Sequence, residues 1–334
     1  MTIDVHAHYI PQTLIAVTRE RGPEIGVQVI EGGAAPALAF SYGYKVRPFF
    51  PKLIGSAAER IAWLDSRKLD RQFVATWPDI YGYGLPRENC AAWHRLLNDT
   101  LAEWCQANAA RMSFVASVPL PSADDAAAEL KRAAELGAVA AMLSSNIEGQ
   151  NIGEFDLDPL WACAQKLKLP VMIHPTASTP FPRAAKFGLR QSVNYTFDTT
   201  LGVASLIYSG VLDRFPQLTF VLSHGGGAYP YLAGRFDVMH ARMDRIAQAD
   251  VAQKAPSAYA PAMAYDTILH APKPLRFLAD LVGTDRLVLG TDYSFPPADL
   301  SPLDGLRAAG FSTSDMNAIA ELNPRRLFPR LGLR

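Results

Sequence analysis

Cysteine is scarce in this sequence and forms no pattern. Cys90, Cys105 and Cys163 are spread through 334 residues without a Cys-x-x-Cys pair. No disulfide framework is expected, and all three read as buried free thiols. An excess of charge is also missing. The 32 lysines and arginines balance 32 aspartates and glutamates, so the basic footprint of a nucleic-acid binder is absent. No apolar run approaches the roughly 20 residues of a membrane span. The opening MTIDVHAHYIP lacks the basic start and long apolar stretch of a secretory signal, so a cytoplasmic protein is expected. No membrane and no nucleic acid is expected among its partners. Histidine is rare as well, with seven in the chain, which makes the positions of those seven informative.

What is there is a large apolar fraction, 49%, enough for a sizeable core. Short β-type runs alternate with longer helical runs along the chain. Strands are expected at Thr2–Val5, Gln72–Thr76, Met112–Val118, Ala138–Leu143, Val171–Ile173, Leu218–Leu222, Met263–Ile268 and Leu287–Leu289. Most are apolar without alternation, as strands buried on both faces are. Helices are expected at Ala57–Ser66, Glu88–Ala110, Ala123–Leu136, Pro159–Leu167, Thr199–Ser209, Pro230–Ala247, Pro274–Leu281 and Ser314–Leu322, the last capped by Ser312 or Ser314. Eight strand–helix units predict an α/β protein, a (β/α)8 TIM barrel, as one domain over residues 1–334. A doubly wound sheet competes, but it normally shows Gly-x-Gly-x-x-Gly after the first strand, and here that place reads HAHYIP. Residues 11–56, rich in glycine and proline, break the repeat. They read as an inserted flap with a hairpin built from Gly26–Ile30 and Ala37–Tyr42.

Active sites of this fold lie at the C-terminal ends of the strands. The first strand leads into DVHAHY, placing His6 and His8 two residues apart on one strand face. The fifth ends VMIHPT (His174), the sixth VLSHGGG (His224) and the eighth VLGTDYSFP (Asp292). Imidazole and carboxylate suit zinc, and also iron, manganese, cobalt or nickel. Any one of these histidines alone reads equally well as a satisfied core residue; five metal-type side chains at the ends of four strands do not. His94, His240 and His270 fall outside that pattern and read as structural or solvated. A structural, non-catalytic metal site is the alternative of another class. Such sites are normally closed by four protein ligands away from a barrel mouth.

The strings DVHAHYIP, ATWPDIYGYG, LPVMIHPT, FVLSHGGGAYPYLAGR and LGTDYSFP resemble the amidohydrolase superfamily, in the amidohydrolase family 2 branch that holds aminocarboxymuconate-semialdehyde decarboxylase. The resemblance runs from Asp4 to Pro296 and is weakest in the flap. It implies one zinc held by His6, His8, His174 and Asp292, with His224 as acid/base beside it. It implies Arg235 as a contact to a substrate carboxylate in a neighbouring subunit, hence a homodimer or higher homo-oligomer. Arg47 of the flap is the candidate for a second carboxylate contact, and Phe295 for a pocket wall. Relatives with two metals bridge them with a modified lysine or a glutamate on strand four, where this chain reads AVAAMLSSN. Two dications without an anionic bridge repel strongly, so one divalent metal per chain is expected. The implied activity is nonoxidative decarboxylation of an unsaturated or aromatic carboxylic acid. Hydrolysis of a lactone or amide, or hydration of an unsaturated dicarboxylate, uses the same parts. Tyr42, Tyr44, Trp77, Tyr81 and Tyr83 are further candidates for the pocket.

Overall fold

The computed structural model of the chain describes residues 1–177, 180–242 and 250–332. Eight parallel strands form one sheet in chain order: β1 (Ile3–His8), β2 (Arg71–Ala75), β3 (Met112–Ala116), β4 (Ala140–Ser144), β5 (Val171–His174), β6 (Phe220–Leu222), β7 (Ala264–Asp266) and β8 (Leu287–Val288). The sheet curls until β8 meets β1. Val5 N–H donates to Leu289 O at 2.9 Å, Asp292 N–H donates to His6 O at 2.8 Å, and Ala7 bridges Tyr293. A (β/α)8 barrel is therefore present. Ala57–Ser66 forms a helix with the bounds expected from sequence, and the other helices differ by a few residues at their ends. Residues 243–247, the end of the helix expected over Pro230–Ala247, lie outside the described residues; the rest is seen as Tyr229–Arg242.

The pattern of each segment explains its state. Ala123–Glu135 buries Ala126, Leu130, Ala133 and Ala134 on one stripe, with Asp124 and Asp125 in the first turn and Arg132 in the last, which matches the helix dipole. Ser56 accepts from Glu59 N–H at 3.2 Å while Glu59 accepts from Ser56 N–H at 2.9 Å. That reciprocal cap stabilises the helix by about 1 kcal/mol. Ser312, rather than Ser314, makes the equivalent cap with Asp315. Alternate strand residues divide into two clusters. Val74, Phe114, Leu143, Ile173 and Leu222 pack outward with the helices. Phe73, Val115, Met142, Met172 and Val221 fill the barrel, joined by Leu327 and Phe328. Phe73 and Phe328 meet edge to face at 5.0 Å, a geometry that contributes about 0.5–1.5 kcal/mol beyond burial.

The insertion holds more than a hairpin. Val27–Ile30 and Ala37–Phe40 pair antiparallel as expected, but Gln12–Arg21 is a helix where only a flap was anticipated. After Pro11 its glycines and prolines resume at Gly22, and the ten residues between them contain no helix breaker. The run after the hairpin carries Arg47 and Phe50 to the mouth of the barrel.

Candidate metal centre and substrate cavity

A bulge in β1 aims the first two histidines. Asp4 pairs with Gln72 and Ala7 with Val74, so two residues of β1 face one of β2. Ile3 and Val5 belong to the barrel-filling cluster, and after the bulge His8 pairs with Ala75 of that same cluster. The extra residue thus turns His6 and His8 into the mouth. Beneath them Arg60, fully buried, donates to His8 O at 2.7 Å, to Ser294 Oγ at 2.9 Å and to Gln72 Oε1 at 2.7 Å. Gln72 and Thr291 in turn donate to Asp4, at 2.7 and 2.6 Å. Burial lowers the Arg60 guanidinium to about 10 and raises the Asp4 carboxyl to about 6. This polar layer fixes the backbone on both sides of the β8–β1 seam.

Three imidazoles converge by the same device. His6 Nδ1–H donates to Asp266 Oδ2 at 2.7 Å, His8 Nδ1–H to Thr76 O at 3.3 Å, and His174 Nδ1–H to Pro175 O at 2.7 Å. Each leaves its Nε2 lone pair facing the others. His6 Nε2 and His8 Nε2 stand 3.0 Å apart, and Asp292 Oδ1 lies 3.6 and 3.3 Å from them. One ligand atom from each of His6, His174, His224 and Asp292 lies within 4.8 Å of the others. His224 Nε2 is 3.4 Å from Asp292 Oδ2. His174 Nε2 and Asp292 Oδ1 are buried without a hydrogen-bond partner among the described residues. Orphaned acceptors of this kind fit a cation.

The electrostatics agree. Burial works against a charged His6, but Asp266 beside it outweighs burial and raises its pKa. Burial lowers His8, and burial together with His8 and His6 holds His174 well below the ordinary imidazole range. Burial alone would raise Asp292 and Asp266; contact with His224 and His8 holds the first well below the carboxylate range, and His6 lowers the second. The cluster favours positive charge at its centre, yet its crowded rings cannot all supply it.

The backbone cooperates. His224 and Asp292 sit at φ 54° and 57°, a left-handed conformation that costs a non-glycine residue about 1–3 kcal/mol and gathers at functional sites. After His224, Gly225, Gly226 and Gly227 all have positive φ. A Cβ on Gly227 would meet Thr196 O at 2.0 Å, so the turn requires glycine there.

His174, His224 and Asp292 form one side of a cavity of about 460 Å³. Arg47, Trp77 and Phe295 line it as anticipated, with Tyr195, Gln191 and His270 in addition. The Arg47 guanidinium lies 4.4 Å from the Phe50 ring centre and 5.4 Å from that of Trp77. Phe295 is 4.9 Å from His8 and 5.4 Å from Trp77. Tyr42, Tyr44, Tyr81 and Tyr83 do not line the cavity. Tyr44 stacks with Phe40 and Tyr42, and Tyr81 and Tyr83 pack on His94. Arg235 is exposed on the helix Tyr229–Arg242 and lies outside this cavity. His94 is buried and structural, as expected, whereas His270, expected to be structural or solvated, is a wall residue. Asp266 went unrecognised in the sequence. An acid inside the apolar run MAYDTIL was the available signal.

A parallel barrel carrying a histidine–carboxylate cluster in its mouth is the architecture of metal-dependent barrel enzymes. This chain belongs to the amidohydrolase family, whose model matches residues 3–330. Among its relatives, the 2-amino-3-carboxymuconate-6-semialdehyde decarboxylase of Dictyostelium discoideum is 28% identical over 307 residues, covering 90% of this chain and 84% of that protein. Gamma-resorcylate decarboxylase of Rhizobium sp. (strain MTP-10005) is 29% identical over 259 residues, covering 70% of this chain and 75% of that protein. In fold, the chain is similar to 5-carboxyvanillate decarboxylase of Novosphingobium aromaticivorans, solved with manganese and 4-hydroxy-3-methoxy-5-nitrobenzoic acid. The TM-score there is 0.79 at 20% identity, covering 98% of this chain and 96% of that one. Among the described residues no helix is long and apolar enough to cross a membrane.

Proposed function

We propose that this chain is a metal-dependent nonoxidative decarboxylase, a carboxy-lyase acting on an aromatic or unsaturated carboxylic acid, and that residues 1–334 work as one barrel domain. One observation carries the reading. Three Nε2 lone pairs and the Asp292 carboxylate converge at the end of a cavity that has an aromatic wall and Arg47. His6, His8, His174 and Asp292 would hold a single divalent ion, and three nitrogens with one oxygen suit Zn(II). His8 belongs in the set because its Nδ1–H is spent on Thr76 O, leaving Nε2 a donor to metal. When bound, the ion supplies a Lewis acid that draws electron density from substrate oxygens.

The protein residues do the rest. Arg47 pairs with a substrate carboxylate or phenolate oxygen, and Phe295 with Trp77 flanks the ring. His224, whose Nδ1 is buried without a hydrogen-bond partner among the described residues, delivers a proton to the ring carbon. The bond from that carbon to its carboxyl group breaks, the electron pair stays on the carbon and takes the proton, and CO2 leaves. The test is turnover of metal-loaded protein on ortho-hydroxybenzoates, an aminocarboxymuconate semialdehyde and several lactones. Release of CO2 is the expected result. Ring opening of lactones without CO2 would transfer the same site to hydrolysis.

The same proposal covers assembly and location. Arg235 shares an exposed helix face with Tyr231, Val238 and Met239, and exposed apolar surface of this kind favours a second copy. A homodimer in which Arg235 reaches the neighbouring cavity follows. Mixing Arg235→Ala with His224→Ala should restore activity that neither has alone; no activity at any ratio rejects the sharing. Free thiols at Cys90, Cys105 and Cys163 suit the cytoplasm.

A further inference from the structure

The ligand His174 is oriented by a peptide group rather than by a side chain. Its Nδ1–H donates to Pro175 O at 2.7 Å. The other end of that same peptide unit, Thr176 N–H, donates to Asp198 Oδ2 at 3.1 Å. A buried carboxylate is thereby connected to a buried imidazole through one planar, polarisable amide. His6 receives its carboxylate, Asp266, directly; His174 receives one at a remove of one peptide bond.

The surroundings are built for this. Asp198 is 5% exposed. Ser145 Oγ–H donates to its Oδ2 at 2.5 Å, and Asn146 Nδ2 donates to its Oδ1 at 2.9 Å. Ser145 N–H also donates to His174 O at 2.9 Å, so one residue anchors both the carboxylate and the histidine backbone. The helix Tyr195–Tyr208 comes close enough to do this because its Gly202 lies against Ser145, where a Cβ would meet Ser145 O at 2.8 Å. On the opposite side, Thr176 Oγ–H and Ala177 N–H donate to buried Asp79, at 2.9 and 2.7 Å. Two carboxylates therefore hold the residues that follow His174, and of these two it is Asp198 that bonds the peptide orienting the ring.

We propose that Asp198 is a positioning residue for the metal site, orienting His174 and strengthening it as a ligand through the Pro175–Thr176 peptide. A negative charge at the N–H end of an amide increases the electron density on its oxygen. That oxygen then holds the His174 Nδ1–H more firmly, fixes the tautomer and raises the basicity of Nε2. Outer partners of metal-bound histidines typically change metal affinity or activity by about 10–100-fold. The proposal rests on His174 being a ligand.

The experiment measures Zn(II) affinity of the full chain by chelator competition, in wild type, Asp198→Asn and Thr176→Val. Asp198→Asn keeps an acceptor but removes the charge, and should bind zinc roughly 10-fold more weakly. Thr176→Val removes the bond to Asp79 but keeps the peptide, and should stay within about 2-fold, well under the effect of losing an outer partner. Wild-type affinity in Asp198→Asn overturns the relay. A purely structural role would lower stability in both variants and leave zinc affinity unmoved. Should Asp198→Asn fail to fold, amide resonances of labelled wild-type protein decide the matter. The Thr176 amide should move on zinc loading more than that of Ala177, which bonds Asp79; equal shifts overturn the relay. His174→Ala separates the two claims, because unchanged affinity there rejects the ligand assignment itself.

Discussion

Replacing Asp266 by asparagine should disable the metal site without disturbing its size. Asp266 Oδ2 accepts from His6 Nδ1–H at 2.7 Å and from His224 N–H at 3.0 Å; Oδ1 accepts from Gly225 N–H at 3.0 Å and Ile268 N–H at 3.2 Å. Asparagine has one acceptor oxygen, so its amide nitrogen must face one of these donor pairs. Facing the His6 side, it forces His6 into the other tautomer. Nδ1 then accepts, Nε2 carries the proton, and the lone pair for the metal is lost. Facing Gly225, it leaves buried backbone donors unsatisfied, at about 1–3 kcal/mol. The first arrangement loses a charge-assisted bond of about 1.5–3 kcal/mol. Either way the variant should bind zinc or manganese about 10–100-fold more weakly, while keeping the far-ultraviolet dichroism of a folded barrel. Titration calorimetry against the metal-free protein reads this directly. Binding within 2-fold of wild type would refute the tautomer argument and with it the role given to Asp266.

Arg47→Ala should raise KM for a carboxylate substrate by roughly 10–150-fold, the loss of a charged hydrogen bond of about 1.5–3 kcal/mol. Its kcat should change little, because Arg47 lies over Phe50 and Trp77 and, among the described residues, makes no hydrogen bond or ion pair to the metal-binding cluster; a fall in kcat with unchanged KM contradicts the binding role. His94 is fully buried, and burial pushes its imidazole down to about 3. An unfolded histidine titrates near 6.5, so the folded form resists protonation. The stability tied to neutral His94 is present above about pH 6.5 and is lost as pH falls toward 3. From pH 7 to 5 this amounts to about 2 kcal/mol. In urea unfolding of the metal-free chain, His94→Gln should show that much less acid destabilisation; an unchanged pH slope counts against it.

The sequence showed most of the frame and the visible half of the site. His6, His8, His174, His224 and Asp292 each come just after a strand expected from the sequence and are types that bind metals, so position and chemistry coincide. Asp266 and Asp198 have the same chemistry, but Asp266 falls inside the strand expected at Met263–Ile268, although β7 in fact ends at it, and Asp198 lies within the helix Tyr195–Tyr208. Only the closing of the barrel reveals what they face. The β1 bulge was illegible for a similar reason: it exists only relative to β2. The helix Gln12–Arg21 was overlooked because the insertion was judged by its later glycines and prolines. Tyr81 and Tyr83 were candidates for the pocket as aromatic residues, yet the 3-10 turn at Pro78–Ile80 carries them away to His94. Gln191 reaches the cavity from a π-helical turn at Arg190–Asn194, whose spacing follows no ordinary helical pattern, and Tyr195 from the first position of the helix Tyr195–Tyr208 that follows it.

The most direct test of the central claim is metal content and CO2 release measured on the same samples of wild type, His224→Ala and His174→Ala. One divalent ion per chain is expected in wild type and in His224→Ala, with CO2 produced only by wild type. His174→Ala should hold little metal and be inactive. Two ions per wild-type chain, or CO2 release that survives loss of His224, would contradict a mononuclear site that relies on His224 for its proton.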